Sequence, residues 1–409
     1  MNNTIMKLKK YLYGVALGTL SIAYTSCYNS ENDFPDYQEG TTAYFAYQSP
    51  VRTLILGNDN YDNTLDNAHK CRIWATMGGA YGGRDAYADI VVADTLCDNL
   101  WFVDAGGNPS APVLPMPKEY YNLLDNKIPY NGDHRGYVEV QFTDAFFNDA
   151  KAIENTYVIP LLMTKVSGID HILSGTPREG LSPKRVNTED WDVLAKDYVL
   201  YCVKYKNPWD GKYIRRGVDN IQENGAVTKV IRKDTMLINS DHLRYKENPV
   251  NQNDEVCAIT TKNMTQAIFP VSVNIGKDAS GDARPSQRCY LILTFQDGKC
   301  TISIDDAEVN CTGSGEFIIK GTEKAEYKDY QWGNMNGVPV QRDILRLAYS
   351  VNFSKGRVIG KKKVKQGGKE VEVDWILEND VQVSTADTLV VQTRESNKKE
   401  FFSTKYVNQ

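Results

Sequence analysis

The chain has 409 residues, of which 41% are hydrophobic and 24% are charged, and its formal net charge at pH 7 is −5. This length predicts two or three domains, and the composition is that of a globular protein that can bury sizeable cores. The acidic balance argues against a nucleic-acid partner, because binding there depends on neutralising phosphates with Lys and Arg.

The first forty residues have the organisation of an export signal. Three lysines precede an apolar run that ends at Tyr24 and is too short to span a bilayer. The segment Tyr-Thr-Ser-Cys at 24–27 resembles the lipobox of bacterial lipoproteins, with Tyr24 where Leu is usual. The resemblance implies that residues 1–26 are a lipoprotein signal peptide, that Cys27 carries the lipid and that residues 27–40 form an acidic tether. An ordinary signal peptide with a chance cysteine is the alternative.

Residues 41–173 are predicted to form an Ig-like β-sandwich in an all-β protein. Short alternating or apolar runs are separated by turn signals, which is the pattern of a sandwich. One helical turn is expected at 144–154. The predicted strands are 42–47, 51–56, 70–77, 88–92, 100–103, 136–142 and 156–163.

A stretch rich in Gly and Pro at 174–195 is predicted to be a linker, followed by a second β domain at 196–409. Strands joined by Gly and Asp turns favour an antiparallel meander closed into a lipocalin-like barrel, since closure removes exposed edges. A second sandwich is the alternative. The basic runs at 361–363 and 398–399 are predicted to be solvated hairpin tips. The predicted strands are 197–205, 212–217, 227–238, 255–261, 266–275, 288–295, 300–304, 316–319, 343–353, 370–377 and 388–392.

Seven cysteines remain besides Cys27, and four of them lie in β-like alternation. A thiol in such a position acts as a small buried hydrophobe, so free thiols are expected. Only Cys289 and Cys300, on either side of a short turn, are placed for a hairpin disulfide.

Several segments carry a family resemblance. They are Phe-Pro-Asp-Tyr at 34–37, Tyr-Phe-Ala-Tyr-Gln-Ser-Pro-Val-Arg-Thr at 44–53 and Asp-Asn-Thr-Leu-Asp-Asn-Ala-His-Lys-Cys-Arg at 62–72. They resemble an uncharacterised sandwich domain of Bacteroides-type surface lipoproteins, which also precedes some glycoside hydrolases acting on N-glycans. The segments 155–161, 191–193 and 197–201 resemble its closing strand and the start of a second uncharacterised domain that usually follows it.

The resemblance implies a non-catalytic surface glycan-binding protein, anchored by lipid at the outer membrane. Its expected partners are a glycan or glycoprotein and the outer-membrane uptake machinery, with membrane contact through the lipid only. A structural or adhesive protein that binds a host or partner protein is the alternative.

A short pattern, Asp-Thr followed by Leu or Met, occurs three times in the chain. It resembles the acceptor for protein O-glycosylation in this bacterial group, which would be modified at Thr95, Thr235 and Thr388.

Catalytic and metal chemistry have little support in the sequence. The four histidines stand apart from one another, no nucleophile elbow occurs, and no carboxylate pair is distinctive among 52 acidic residues. The loop 57–67 is rich in Asp and Asn, whose oxygens calcium accepts, but its spacing is not that of an EF-hand. Asn and Asp also stabilise turns by bonding to their own backbone, so we expect a turn there, no metal and no cofactor.

Aromatic residues, at 11% of the chain, are the main functional hint, because sugars stack on rings beside hydrogen-bonding side chains. Aromatics in predicted strands are expected in the core or in cross-strand pairs. Two tryptophans lie in loops instead: Trp332, near Tyr330, Asn334 and Asn336, and Trp209. These five residues are the candidate ligand-binding residues, and capping of a barrel or sandwich end is the alternative for each tryptophan.

Overall fold

The computed structural model describes residues 36–58, 61–232, 255–324, 334–335, 338–394 and 400–407. The protein is all-β, with a sandwich-like N-terminal region and a closed antiparallel barrel in the C-terminal part, as the sequence predicts. Within the described ranges, no helix is long and apolar enough to cross a membrane.

The N-terminal region has fifteen strands and two short α-helices, α1 (Thr64–Asn67) and α2 (Asp144–Asn148), among the residues described up to 206. Four 3₁₀ turns lie at Asp94–Cys97, Lys118–Tyr120, Ala150–Ile153 and Thr188–Asp190. The strands are β1 (Thr42–Tyr44), β2 (Pro50–Ile55), β3 (Lys70–Gly78), β4 (Tyr87–Val92), β5 (Leu100–Val103), β6 (Pro109–Pro112), β7 (Leu114–Pro115), β8 (Tyr121–Leu123), β9 (Lys127–Pro129), β10 (Arg135–Phe142), β11 (Tyr157–Ser167), β12 (His171–Ile172), β13 (Thr176–Pro177), β14 (Trp191–Val193) and β15 (Tyr198–Lys206).

The later part of the chain supplies the barrel, several hairpins and two final strands, with a 3₁₀ turn at Gly321–Glu323. The strands are β16 (Gly211–Glu223), β17 (Ala226–Arg232), β18 (Glu255–Thr261), β19 (Gln266–Val273), β20 (Gln287–Gln296), β21 (Lys299–Ile304), β22 (Val309–Ile318), β23 (Asn334–Met335), β24 (Val338–Pro339), β25 (Ile344–Phe353), β26 (Val358–Gln366), β27 (Lys369–Ile376), β28 (Val381–Thr393), β29 (Glu400–Phe401) and β30 (Thr404–Tyr406).

Three layers build the N-terminal region. A front sheet with the order β12-β1-β3-β10-β8 faces a middle sheet with the order β29-β2-β15-β11-β4-β9, and the main core lies between them. A third, small sheet of β30-β5-β6 covers the far side of the middle sheet. The middle sheet is therefore buried on both faces, which explains the continuous burial of residues 157–161 in β11.

The segment predicted as a linker is part of this third layer. Thr176–Pro177 pairs with Trp191–Val193, and the Trp191 side chain is buried against the outer side of the middle sheet. Its indole Nε1 donates to the carbonyl of Lys184 at 3.0 Å. A buried tryptophan that follows two Gly- and Pro-containing turns thus fixes a segment whose composition alone resembles a linker.

The domain boundary lies later than residue 196. Strand β15 pairs with β11 and β2, so it belongs to the middle sheet rather than to the barrel. The chain enters the barrel only after the turn at 207–210. The final strands β29 and β30 return to the N-terminal region, where they pair with β2 and β5. The sequence missed both points because the residues of a strand do not by themselves reveal which sheet it joins.

Eight antiparallel strands close the barrel in the order β16-β18-β19-β20-β21-β22-β25-β28, and β28 pairs with β16. This closure selects the barrel over the second sandwich. Its interior is mainly aliphatic and aromatic. Gly313 and Gly315 let β22 approach β25 closely, since a Cβ at either residue would lie 2.5 Å from a carbonyl oxygen of β25.

The basic run at 361–363 lies within strand β26 and not at a hairpin tip. The tip is Gly367–Gly368, where both residues have positive φ. Lys361 and Lys363 instead form cross-strand pairs with Glu372 and Glu370 of β27. The second basic run, 398–399, lies outside the described residues.

All seven described cysteines are free thiols. Cys300 lies opposite Phe295 in the β20–β21 register, so Cys289 is six residues away from the pairing position that a hairpin disulfide needs. Burial raises the pKa of Cys71 and Cys300 to about 12. These thiols behave as small buried hydrophobes.

Candidate functional site

The strongest candidate for a ligand contact is a pair of aromatic rings on the outer face of the front sheet. Along β3 the odd-numbered residues 71–77 point into the sandwich core, so Trp74 projects to the opposite side. Tyr137 of β10 lies opposite Trp74 in the strand register. Their ring centroids are 4.7 Å apart, the rings are tilted by 52°, and Trp74 is 44% exposed. We call Trp74 and Tyr137 the aromatic platform.

Two arginines on the same sheet face flank the aromatic platform. The guanidinium carbon of Arg72 lies 4.2 Å from the ring centroid of Tyr137, and that of Arg135 lies 5.4 Å from Trp74. Cation–π contacts of this kind hold a long side chain against a ring. The site therefore has an apolar centre with a cationic group on each side.

Glu139 of β10 is the acidic member of this face. Its carboxylate accepts from Lys70 Nζ at 3.2 Å and from Arg72 Nη2 at 3.1 Å. These hydrogen bonds hold the pKa of Glu139 below its usual value. Glu139 is therefore ionised at neutral pH, and Arg72 is engaged by it.

The predicted loop site is only partly described. Trp332, Tyr330 and Asn336 lie outside the described residues, and Asn334 is described only by its backbone, in the short strand Asn334–Met335. That part of the site hypothesis stays a prediction, as does acylation of Cys27, which also lies outside the described residues.

Trp209 is half-buried at the end of the barrel that faces the sandwich. Its ring is stacked on Phe295 with centroids 3.8 Å apart and an interplanar angle of 5°. Its carbonyl accepts from the hydroxyl of Tyr213 at 2.7 Å. This position matches the capping alternative, because one face of the indole is covered by protein.

The oxygen-rich loop at 57–67 uses its side chains in turn contacts. Asp66 is buried, pairs with Arg52 and accepts from the amide of Ile55 at 2.8 Å. Asn67 exchanges hydrogen bonds with the backbone of Gly57. No group of three or more His, Cys, Asp or Glu suited to a metal occurs among the residues that the structure describes. The prediction that Asp and Asn side chains stabilise a turn here therefore explains the contacts of Asp66 and Asn67.

A cavity of about 1170 Å³ lies on the barrel surface. Thr301, Ser314, Ala348 and Ala386 face it from neighbouring strands, next to charged side chains such as Arg346. Its aromatic member, Phe295, is buried against Trp209. The cavity therefore offers hydroxyl and charged groups but no exposed ring.

The predicted O-glycosylation acceptors have different surroundings. Thr95 is exposed in the 3₁₀ turn Asp94–Cys97, and Thr388 lies half-buried in β28. Thr235 lies outside the described residues.

The expectation that strand aromatics lie in the core or in cross-strand pairs is confirmed for Trp74 and Tyr137, but sequence reasoning did not identify this cross-strand pair as exposed. The missed signal was the alternation itself. Trp74 shares its parity with Lys70, Arg72 and Thr76, which mark the solvent face of β3. Tyr137 likewise shares parity with charged residues of β10. When an aromatic residue lies on the polar face of an amphipathic strand, the alternation predicts that its side chain is exposed.

The fold and this surface define a two-domain, all-β protein with an exposed aromatic pair on its sandwich. The profile of an N-terminal domain family matches residues 37–170, and that of a domain of unknown function, DUF5627, matches residues 208–395. A Bacteroides ovatus protein of unknown function, solved by structural genomics, is 35% identical, with 91% of this chain and 100% of that chain covered and a TM-score of 0.70. The chain belongs to the same family as this Bacteroides ovatus protein.

Two further Bacteroides ovatus structures were found, both with TM-scores too low to support an argument. One is a multidomain protein including DUF1735, 12% identical, with a TM-score of 0.34 over 88% of this chain and 99% of its own. The other is a protein of unknown function, 9% identical, with a TM-score of 0.35 over 87% and 95%. Comparison with curated proteins found no match.

Proposed function

We propose that this protein is a non-catalytic glycan-binding protein that contacts sugar through the aromatic platform. The observation that carries the proposal is the 44% exposure of Trp74 beside Tyr137 on the solvent face of the front sheet. A sugar ring stacks its C–H face on such rings, and neighbouring polar groups bond to its hydroxyls. Arg72, Arg135 and Glu139 supply such groups at this site.

The composition of this sheet face favours a glycan over a protein partner. The alternate positions around Trp74 on β3 are Lys70, Arg72 and Thr76, and the partly exposed Tyr44 of β1 lies opposite Thr76, so the apolar area of this face is a narrow set of aromatic rings among polar side chains. A stable protein interface needs about 800 Å² on each partner with an apolar core. A narrow ring pair bordered by charges is better suited to a sugar chain. A structural or adhesive protein that binds a host or partner protein is the second candidate function.

The absence of catalysis is part of the proposal and rests on the state of Glu139. Glycoside hydrolysis needs a carboxylic acid with a raised pKa that donates a proton. The pKa of Glu139 is lowered instead, because Lys70 and Arg72 bond to its ionised form. Glu139, the carboxylate that bonds to Arg72 beside the aromatic platform, thus has the wrong protonation state for a general acid.

The test is glycan binding by a soluble form that begins at Asn29, on an array and then by calorimetric titration. Trp74→Ala should weaken binding about tenfold, because a stacked ring contributes on the order of 1 kcal/mol beyond its burial. Tyr290→Ala is the matched control, since Tyr290 is an exposed barrel tyrosine with Arg288 beside it. Unchanged affinity in Trp74→Ala, with the fold intact by circular dichroism, would remove the aromatic platform from the proposal.

We further propose that acylated Cys27 holds the protein at the outer-membrane surface, near glycan-uptake machinery. The support is the order of the basic, apolar and Tyr-Thr-Ser-Cys segments at the start of the chain. Stable anchoring needs more than one acyl chain, as the lipobox resemblance implies. Cys27→Ala should release the protein from membranes and abolish labelling by a fatty-acid probe; equal labelling of both forms would contradict the anchor.

A further inference from the structure

The cationic side chains beside the aromatic platform differ in whether a carboxylate pairs with them. Lys70 and Arg72 both bond to Glu139, which neutralises one of their two charges. Arg135 is exposed, and it has no carboxylate partner among the described residues. The Asp133 carboxylate lies nearby in the chain, but its Oδ1 accepts from the backbone amides of His134 and Arg135. The three cationic side chains Lys70, Arg72 and Arg135 outnumber the two carboxylates Glu139 and Asp133, so a net positive charge remains near Trp74, on a chain whose net charge is −5.

The position of Arg135 suits it to meet a ligand already stacked on Trp74. In the strand register it lies opposite Thr76, two residues along β3 from Trp74. Its guanidinium carbon lies 5.4 Å from the indole centroid, so the ring limits the conformations of the side chain. A guanidinium held in this way presents a planar set of donors that matches a carboxylate or sulfate oxygen pair.

We infer that the aromatic platform recognises an anionic glycan, one whose sugar carries a carboxylate or a sulfate ester. The inference rests on the proposed function, and it names the ligand class of the same site. The sugar ring stacks on Trp74, and its acidic group accepts hydrogen bonds from Arg135. The Arg72–Glu139 pair stays intact and supplies polar contacts to the hydroxyls. Arg135 is then the residue that separates charged from neutral glycans.

The experiment uses probes that share a backbone and differ in charge. Oligogalacturonides are compared with their methyl esters, which tests a carboxylate, and sulfated galactan oligosaccharides are compared with desulfated forms, which tests a sulfate. We expect at least one charged probe to bind about tenfold more tightly than its neutral counterpart, with the difference shrinking at high salt. Arg135→Gln should abolish that difference. Arg346→Gln, at an exposed barrel arginine, should leave it unchanged.

The possible outcomes separate this inference from the proposed function. If charged and neutral probes bind equally and Trp74→Ala weakens both, the glycan function stands and the anionic preference is wrong. A preference that survives Arg135→Gln would also overturn the inference. If neither these probes nor an array of charged and neutral glycans gives binding, the proposed function itself fails.

Discussion

Trp209 and Trp74 differ in what covers their rings, although Trp209 is half-buried and Trp74 is 44% exposed. Trp209 is stacked face to face on Phe295 and packs against the barrel core, whereas Trp74 contacts a tilted tyrosine on an open sheet face. A ring whose face is covered by another ring stabilises the fold and has little surface left for a ligand. At the scale of single residues, the covered face distinguishes the two tryptophans better than their exposure does.

Trp209→Ala should therefore lower the melting temperature and leave glycan affinity unchanged. Removing a packed tryptophan costs about 3 kcal/mol in the free energy of unfolding, from lost burial and the cavity left behind. Thermal melts and calorimetric titration on one sample measure both quantities. Trp209→Phe is the control, since it keeps part of the stack on Phe295. A weaker affinity with an unchanged melting temperature would return Trp209 to the ligand-binding residues.

At the scale of elements, alternation and turn signals predict most of the strands. Strands such as β3, β10 and β20 match their predicted ranges closely, because one face of each is buried and the other is not. Strand β26 was missed because its run of three lysines at 361–363 has no apolar face. The face with Lys361 and Lys363 is exposed, the face with Lys362 is only half-buried, and cross-strand ion pairs link the strand to β27.

The sequence could not assign the strands to sheets. The nearly continuous apolar run of β15 is compatible with a sandwich or a barrel, and its pairing with β2 is decided by contacts far apart in the chain. The place of Trp191 in the third layer could not be predicted for a similar reason. The composition of residues 174–195 does not show which other part of the protein packs against them. The aromatic platform, in contrast, could have been found, because strand parity alone places Trp74 on the polar face.

At the scale of the whole molecule, Arg394 joins the two domains. Its guanidinium donates to the carbonyls of Leu56 at 3.0 Å and Asn58 at 2.7 Å in the sandwich region. It also donates to Asn207 and Asp210 in the turn that leads into the barrel. Arg394 is only 5% exposed, so these charge-assisted bonds are shielded from water.

Arg394→Gln should uncouple the unfolding of the two domains. The shorter neutral side chain cannot reach the four carbonyls, and we expect a loss of about 3 kcal/mol in unfolding free energy. We expect differential scanning calorimetry to show one transition for the unaltered protein and two for Arg394→Gln. Arg346→Gln, which changes an exposed arginine of the barrel surface, is the control. A single transition at the same temperature in Arg394→Gln would show that the junction is held by other contacts.

The return of the chain to the sandwich also determines the order in which the protein is completed during synthesis. Strand β2 begins at Pro50, and its edge partner β29 begins only at Glu400, so the barrel is inserted into the sandwich. At roughly 5–20 residues per second, a ribosome needs on the order of 20–70 s to make the intervening 350 residues. The barrel is contiguous in sequence and can close as it emerges, whereas the edges of β2 and β5 stay open until the last strands arrive. The sandwich is the first part of the protein to be translated and the last to be finished.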